Sequence, residues 1–316
     1  MNLASRPWIA AAILGLLALS PAYAGMTPEE VKAFEGYKLL AEKGDPVAQA
    51  SLGYCYDNGE GVTKDQAQAV TWYRKAAEQG RAVAQFNLGY CYANGNGVAK
   101  DEVRAVSWYS KAAVQGYALA QYNLGVCFDN GVGVAKDLLQ ATSWYRKAAV
   151  QGNAGAQFNL GLCYEMGDGV AKDLAQAVTW YRKAAEQGRA AAQLNLGYCY
   201  AKGNGVAKDE VQAVSWYSKA AVQGYALAQS NLGLCYAKGK GVAKDEIEAY
   251  AYWNLAGVTD EVARENLTIL EKMMSPDARL LGQQRTKQLQ KEIESRLETI
   301  DDLRKAVERE SLRKGA

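Results

Sequence analysis

The side chains able to do chemistry are few, and they recur. Cysteine stands at Cys55, Cys91, Cys127, Cys163, Cys199 and Cys235, each 36 residues after the last. Thiols of this kind permit disulfides, metal ligation or nucleophilic attack. The chain contains no histidine. That excludes Ser-His-Asp triads, Cys-His pairs and histidine-ligated zinc. Acids such as Asp65, Asp101 and Asp137 also recur once per period. Identical acids in identical settings read as helix caps, because a general acid and a general base need unlike environments. The S-x-x-K at Ser311 to Lys314 has no K-T-G companion, so the acyl-transfer signature is incomplete. Turns such as "NGNGV" follow no strand and are not phosphate loops. The residues therefore point to no enzyme, no cofactor and no metal.

The spacing also argues against disulfides. Equivalent positions on stacked helices lie roughly 8–10 Å apart, beyond the ~7 Å that a bridge allows between Cα atoms. No repeat holds a second cysteine. Six reduced, core-edge thiols are expected.

The elements that carry these residues follow from the same period. Trp72, Trp108, Trp144, Trp180 and Trp216 keep the 36-residue clock, and Trp253 slips by one. A period between 20 and 50 residues marks a solenoid-type array. In the unit from Arg81 to Gly116, Ala84, Leu88 and Tyr92 form an apolar stripe on a first helix, ended by Gly95. Asp101 caps a second helix that carries Ala105, Trp108, Tyr109, Ala112 and Ala113. Trp108 is expected to fill the space beside the alanines. Asp45-Pro46 opens the first such unit. Residues 67–121 match 175–229 except at Val83/Ala191, Phe86/Leu194, Asn94/Lys202 and Arg104/Gln212, which reads as duplication of a three-unit block.

The run "A-x-x-x-LG-x-x-Y-x-x-G-x-GV-x-x-D" from Ala84 to Asp101, followed by "A-x-x-WY-x-KAA-x-QG" from Ala105 to Gly116, resembles the Sel-1-like repeat family, a relative of the tetratricopeptide repeats. All six units carry the first run, with Phe128 in place of its tyrosine in the third. The sixth degrades in the second, at Ala249 to Val258. The resemblance implies an all-α, right-handed α/α superhelical solenoid with a concave groove, and an adaptor or scaffold role with a protein or peptide partner. Many family members bridge two cysteines per repeat, a pattern that one cysteine per repeat cannot follow.

First helices line the groove in the tetratricopeptide class. Asn87, Asn123, Asn159, Asn195 and Asn231 occupy one position there, with Ser51 in the first unit. Each amide both donates and accepts, as the backbone of an extended peptide requires. The alternative is that these amides bond the neighbouring repeat. Tyr90 and Tyr198 stand at an adjacent position, shared with Tyr54, Val126, Leu162 and Leu234, and offer apolar pockets. The 20 tyrosines suit sugars as well as peptides. A second reading is therefore a cell-envelope protein that binds or processes peptidoglycan or another polysaccharide.

The 316-residue chain carries a net charge of +2, which gives no reason to expect a nucleic acid partner. Its start pairs Arg6 with a short apolar run, Ile9 to Leu19, and an A-x-A site at Ala22-Tyr23-Ala24. That reads as a secretory signal, with cleavage expected before Gly25, no stable membrane anchor expected after it, and a periplasmic or secreted mature protein. The expected organisation is a signal peptide at 1–24, a capping half repeat at 25–44, six repeats at 45–260, and a closing helix with a charged helical tail at 261–316. Thr27 and Glu30 form a capping box for the half repeat. In the tail, Leu289, Ile293, Leu297, Ile300 and Val307 make a narrow apolar seam. It reads as a self-association strand, as a stripe packed on the array's end, or as a solvated helix.

Overall fold

The computed structural model describes residues 26–313. Fifteen helices and no strand are found among them. A first helix, α1 (Pro28–Glu42), precedes six pairs: α2 (Pro46–Asn58) with α3 (Gln66–Glu78), α4 (Ala82–Asn94) with α5 (Glu102–Val114), α6 (Ala118–Asn130) with α7 (Leu138–Val150), α8 (Ala154–Met166) with α9 (Leu174–Glu186), α10 (Ala190–Lys202) with α11 (Glu210–Ala221), and α12 (Ala226–Lys238) with α13 (Glu246–Ala256). Then come α14 (Glu261–Met273) and α15 (Pro276–Arg313). The chain forms two compact units, one up to Trp144 and one from Tyr145. No helix of the described residues is long and apolar enough to cross a membrane.

Local chemistry sets the helix ends. The Asp101 carboxylate accepts from the Arg104 amide at 2.9 Å, and Asp65, Asp173, Asp209 and Asp245 cap their helices in the same way. Each such cap is worth about 1 kcal/mol. The repeating acids are thus committed to backbone. Gly95 ends α4 at φ 76°, donating its N–H to the Cys91 carbonyl at 2.8 Å. The Thr27–Glu30 capping box is complete, and Asp45 caps α2 with Pro46 in its first turn.

The core departs from the sequence reading in one respect. Tyr109, not Trp108, is the buried ring, together with Ala84, Leu88, Ala105, Ala112 and Ala113. Trp108 is half-buried, and the Lys111 ammonium lies 3.9 Å from its ring centre. The tyrosine fits because Gly89 has no side chain: a Cβ there would stand 2.8 Å from the Tyr109 ring. At the last pair the two aromatics exchange places. Trp253 takes the buried position against Gly233, and its indole N–H donates to the Ser230 carbonyl at 3.1 Å. The apparent slip of tryptophan by one residue is this exchange.

Neighbouring pairs are joined by buried glutamines. Gln49, Gln85, Gln121, Gln157, Gln193 and Gln229 each donate to the carbonyl of the alanine eight residues earlier, at 3.0–3.2 Å. Gln79, Gln115, Gln187 and Gln223 donate in turn to the side-chain carbonyls of Gln49, Gln85, Gln157 and Gln193, at 2.7–2.8 Å. Four buried amides therefore have both ends satisfied within the protein.

In the second unit α15 packs along α13. Gly282 faces the Tyr250 ring, and Arg285 pairs with Glu248 at 2.6 Å. Leu289 and Ile293 are buried there. Of the three readings of the seam, the burial of these two residues fits the stripe packed on the array's end. Leu297 is exposed, and the side chains of Ile300 and Val307 lie outside the described residues. The signal segment, 1–24, also lies outside them.

Candidate partner-binding surface

On α4 the residues of interest divide by depth. Asn87 is half-buried, Cys91 is buried, and Tyr90 is exposed. Asn94 is exposed and donates to the Tyr90 carbonyl at 2.9 Å, so it finishes its own helix. The same depths recur on α10, where Asn195 is half-buried and Tyr198 exposed. Asn123, Asn159 and Asn231 are half-buried on α6, α8 and α12.

The amide ladder is partly engaged. Asn123 bonds the hydroxyl of Tyr109, and Asn195 bonds that of Tyr181. The Tyr181 hydroxyl also donates to the Glu165 carboxylate. Burial raises the pKa of both tyrosines, opposed at each by the asparagine that donates to it. At these two positions the asparagine satisfies a buried phenol of the preceding pair and presents only its remaining edge outward. Tyr90 and Tyr198 carry no such duty and are 47% and 44% exposed.

In the second unit a pocket of about 420 Å³ opens between α10, α11 and α12. Tyr198 and Asn231, two of the sequence candidates, line it together. Lys202, Lys208 and Lys240 also line it, and sequence reasoning passed over them because lysines are scattered through the chain. The buried glutamines were missed for a different reason. They sit inside a pattern whose flanking "A" and "LG" drew the attention, yet a polar residue recurring on the apolar side of a helix is a legible signal of a buried hydrogen bond.

The structure holds all six cysteines as free thiols, five of them buried and Cys235 half-buried. Burial pushes Cys55 and Cys91 up to about 12, and Cys127, Cys199 and Cys235 up to about 11. Nearby acids add to the rise, Glu60 at Cys55 and Asp57 at Cys91. These raised values make each thiol's contribution complete below its ordinary pKa of about 8.5, and lost as pH climbs through about 11 to 12. Stability is expected to fall over that alkaline window. At pH 8 an aromatic disulfide reagent should titrate Cys235 first and the other thiols only on unfolding. Fast labelling of all six in the native protein would contradict this burial. Among the described residues no group of three cysteine, aspartate or glutamate side chains is placed to hold a metal ion.

Known proteins share this arrangement. The Sel1 repeat model matches six times, at residues 46–80, 82–117, 118–153, 154–188, 190–225 and 226–257. No curated protein matches the chain. A protective antigen present in uropathogenic Escherichia coli strains, whose crystal structure displays an SLR fold, is 36% identical with a TM-score of 0.80. That likeness covers 95% of this chain and 64% of the antigen, so the chain spans less than two thirds of that relative's length. The crystal structure of a Sel1 repeat protein from Oxalobacter formigenes is also 36% identical, with a TM-score of 0.62, over 79% of this chain and 93% of that one. Sel1 repeat proteins are generally non-catalytic scaffolds for protein interaction. Six matched repeats, fifteen helices and this fold place the chain in the Sel1 repeat family.

Proposed function

We propose that the chain is an exported scaffold that holds a protein or an extended peptide on the faces of its first helices. The observation that carries this reading is the pairing of an exposed tyrosine with a half-buried asparagine three residues earlier. It occurs at Asn87 with Tyr90 and at Asn195 with Tyr198. Residues three apart share a helix face. A ring and an amide side by side supply what peptide recognition uses, apolar area and a backbone partner. Export rests on the charged, apolar and A-x-A segments that precede Gly25.

Because Asn123 and Asn195 also satisfy buried phenols, replacing them would disturb the fold along with any partner. The tyrosines are the cleaner probes. Tyr90→Ala with Tyr198→Ala should leave stability within about 1 kcal/mol, since exposed substitutions rarely cost more than ~0.5 kcal/mol each. Losing two aromatic anchors should weaken the partner more than tenfold. The experiment purifies the chain from its producing cell, reads its first residue, and compares protein capture by the parent and the double variant. Gly25 at the N-terminus and capture lost in the variant are the expected results. A retained Met1 overturns export. Equal capture by both proteins, or co-sedimentation with wall polymer alone, overturns the scaffold reading.

A further inference from the structure

The pocket between α10, α11 and α12 differs in charge from the equivalent positions earlier in the chain. Its apolar lining comes from Tyr217 and Leu234, with Tyr198 and Asn231 also lining it. Lys208 is paired with Glu210 at 2.9 Å, so that carboxylate is already held. Lys202 lies 5.8 Å from the Tyr198 ring centre. Among the described residues neither Lys202 nor Lys240 makes an ion pair. The duplicated block gives a comparison within the chain. Moved back by 108 residues, the lining is unchanged except that Asn94 stands for Lys202, Val126 for Leu234 and Val132 for Lys240. Lys202 is one of the four differences between residues 67–121 and 175–229. Both charge changes at this lining therefore have one sign, and both introduce lysine.

We propose that this pocket takes an acidic, extended peptide segment of a partner protein, an apolar side chain entering beside Leu234 and Tyr217 and neighbouring carboxylates meeting Lys202 and Lys240. The assignment rests on the scaffold reading above and gives it a partner chemistry. Asn231 faces the peptide backbone. Against the one carboxylate of the lining, Glu210, which Lys208 pairs and Lys240 also faces, the three lysines leave an excess of positive charge that selects negative charge, and the apolar floor selects against a bare anion. Affinity is accordingly salt-dependent, because exposed charge pairs are screened.

The test uses residues 25–316 and a fluorescein-labelled decapeptide of alternating leucine and glutamate, with leucine–glutamine and leucine–lysine peptides for comparison. Fluorescence anisotropy should show one equivalent of the acidic peptide bound, at least tenfold tighter than the glutamine peptide, and weakened by added salt. The variant Lys202→Asn with Lys240→Val should lose at least tenfold. It carries side chains that already stand at the matching positions 94 and 132, so the fold tolerates it, and an unchanged circular dichroism melt verifies this. The reverse variant, Asn94→Lys with Val132→Lys, should bind a second equivalent. Unchanged binding by the first variant, equal binding of the glutamine peptide, or no binding of the acidic peptide overturns the proposal. So does self-association of the chain that the first variant abolishes, since the occupant is then a second copy. If the tyrosine double variant still loses its partner while the lysines prove irrelevant, only the charge assignment fails. If both variants keep the partner, the scaffold reading fails with it.

Discussion

Gly97→Ala should cost about 3 kcal/mol or more of stability, while Gly116→Ala costs ~1–2 kcal/mol. Both glycines have positive φ, 66° and 91°. An alanine at either pays the left-handed backbone penalty. Only Gly97 pays a second one. A Cβ there would stand 2.1 Å from the Gln66 carbonyl oxygen and 2.3 Å from its carbon, at the start of α3. Backbone cannot rotate aside, so the turn after α4 must lift from the preceding pair. At Gly116 nothing lies within 4 Å of the added carbon. The duplicated block supplies a replicate, since Gly205 meets the Leu174 carbonyl oxygen at 2.1 Å. Denaturant titration of Gly97→Ala, Gly205→Ala and Gly116→Ala decides the matter. Equal losses from all three would mean that backbone strain alone fixes these glycines and that the close approach is unimportant. The consequence for function is direct. In a repeat array each pair is stabilised by its neighbours, so the contact at Gly97 helps hold α4, and with it Asn87 and Tyr90, in place.

Much of this was legible in the sequence because it is local. Asp101 as a cap, Gly95 as a stop, the Thr27–Glu30 box and the Ala84-Leu88-Tyr92 stripe depend on residues within one or two turns. Their physics does not change when the chain folds. The choice between Trp108 and Tyr109 was not local. Both rings lie toward one side of α5, and the outcome depends on Gly89, a residue of the partner helix whose missing Cβ makes room for the tyrosine. The period made Cys91 conspicuous and so drew attention to the thiols, yet a buried thiol is spatially quiet. The site was less legible than the fold. Asn123 and Asn195 occupy the expected stripe, but their bonds to Tyr109 and Tyr181 depend on how successive pairs stack. Lys202 and Lys240 are ordinary surface lysines in a list of residues. They become a feature only when the fold brings α10 and the turn after α12 to one pocket. The tail shows the same limit. Spacing alone gave Leu289 and Ile293 a seam, and only the fold shows what buries them: Leu289 joins the cluster of Tyr217, Leu232 and Tyr252, and Ile293 stands beside Gly224.

Gln85→Ala should lower stability by about 2–4 kcal/mol, and Gln85→Glu should lower it further at neutral pH. The side chain is buried and uses both ends of its amide. Its Nε2 donates to the Ala77 carbonyl at 3.1 Å, and its Oε1 accepts from the Gln115 amide at 2.7 Å. Two hydrogen bonds at ~1 kcal/mol each, with the packing of the methylene stem, give the alanine figure. Glutamate keeps the shape and the bond from Gln115. It cannot donate to Ala77, and it sets a carboxylate against a carbonyl oxygen away from water. Burial and that oxygen both oppose ionisation, so its pKa in the folded chain lies above the ordinary ~4.3. A raised folded value means that the folded state holds its proton longer than the unfolded state does. The variant is therefore closest to the parent below about pH 4.3, where both states are protonated, and loses stability as pH rises through the folded value. Urea titration of parent, Gln85→Ala and Gln85→Glu at acid and neutral pH measures this. A glutamate variant as stable as the parent at neutral pH would show that the Ala77 bond contributes nothing. The alanine variant should also loosen the junction between α3 and α4, because the same amide fixes where one pair sits on the next. Partner affinity in Gln85→Ala should then fall although Gln85 itself is buried and touches no ligand, which separates a register role from a contact role.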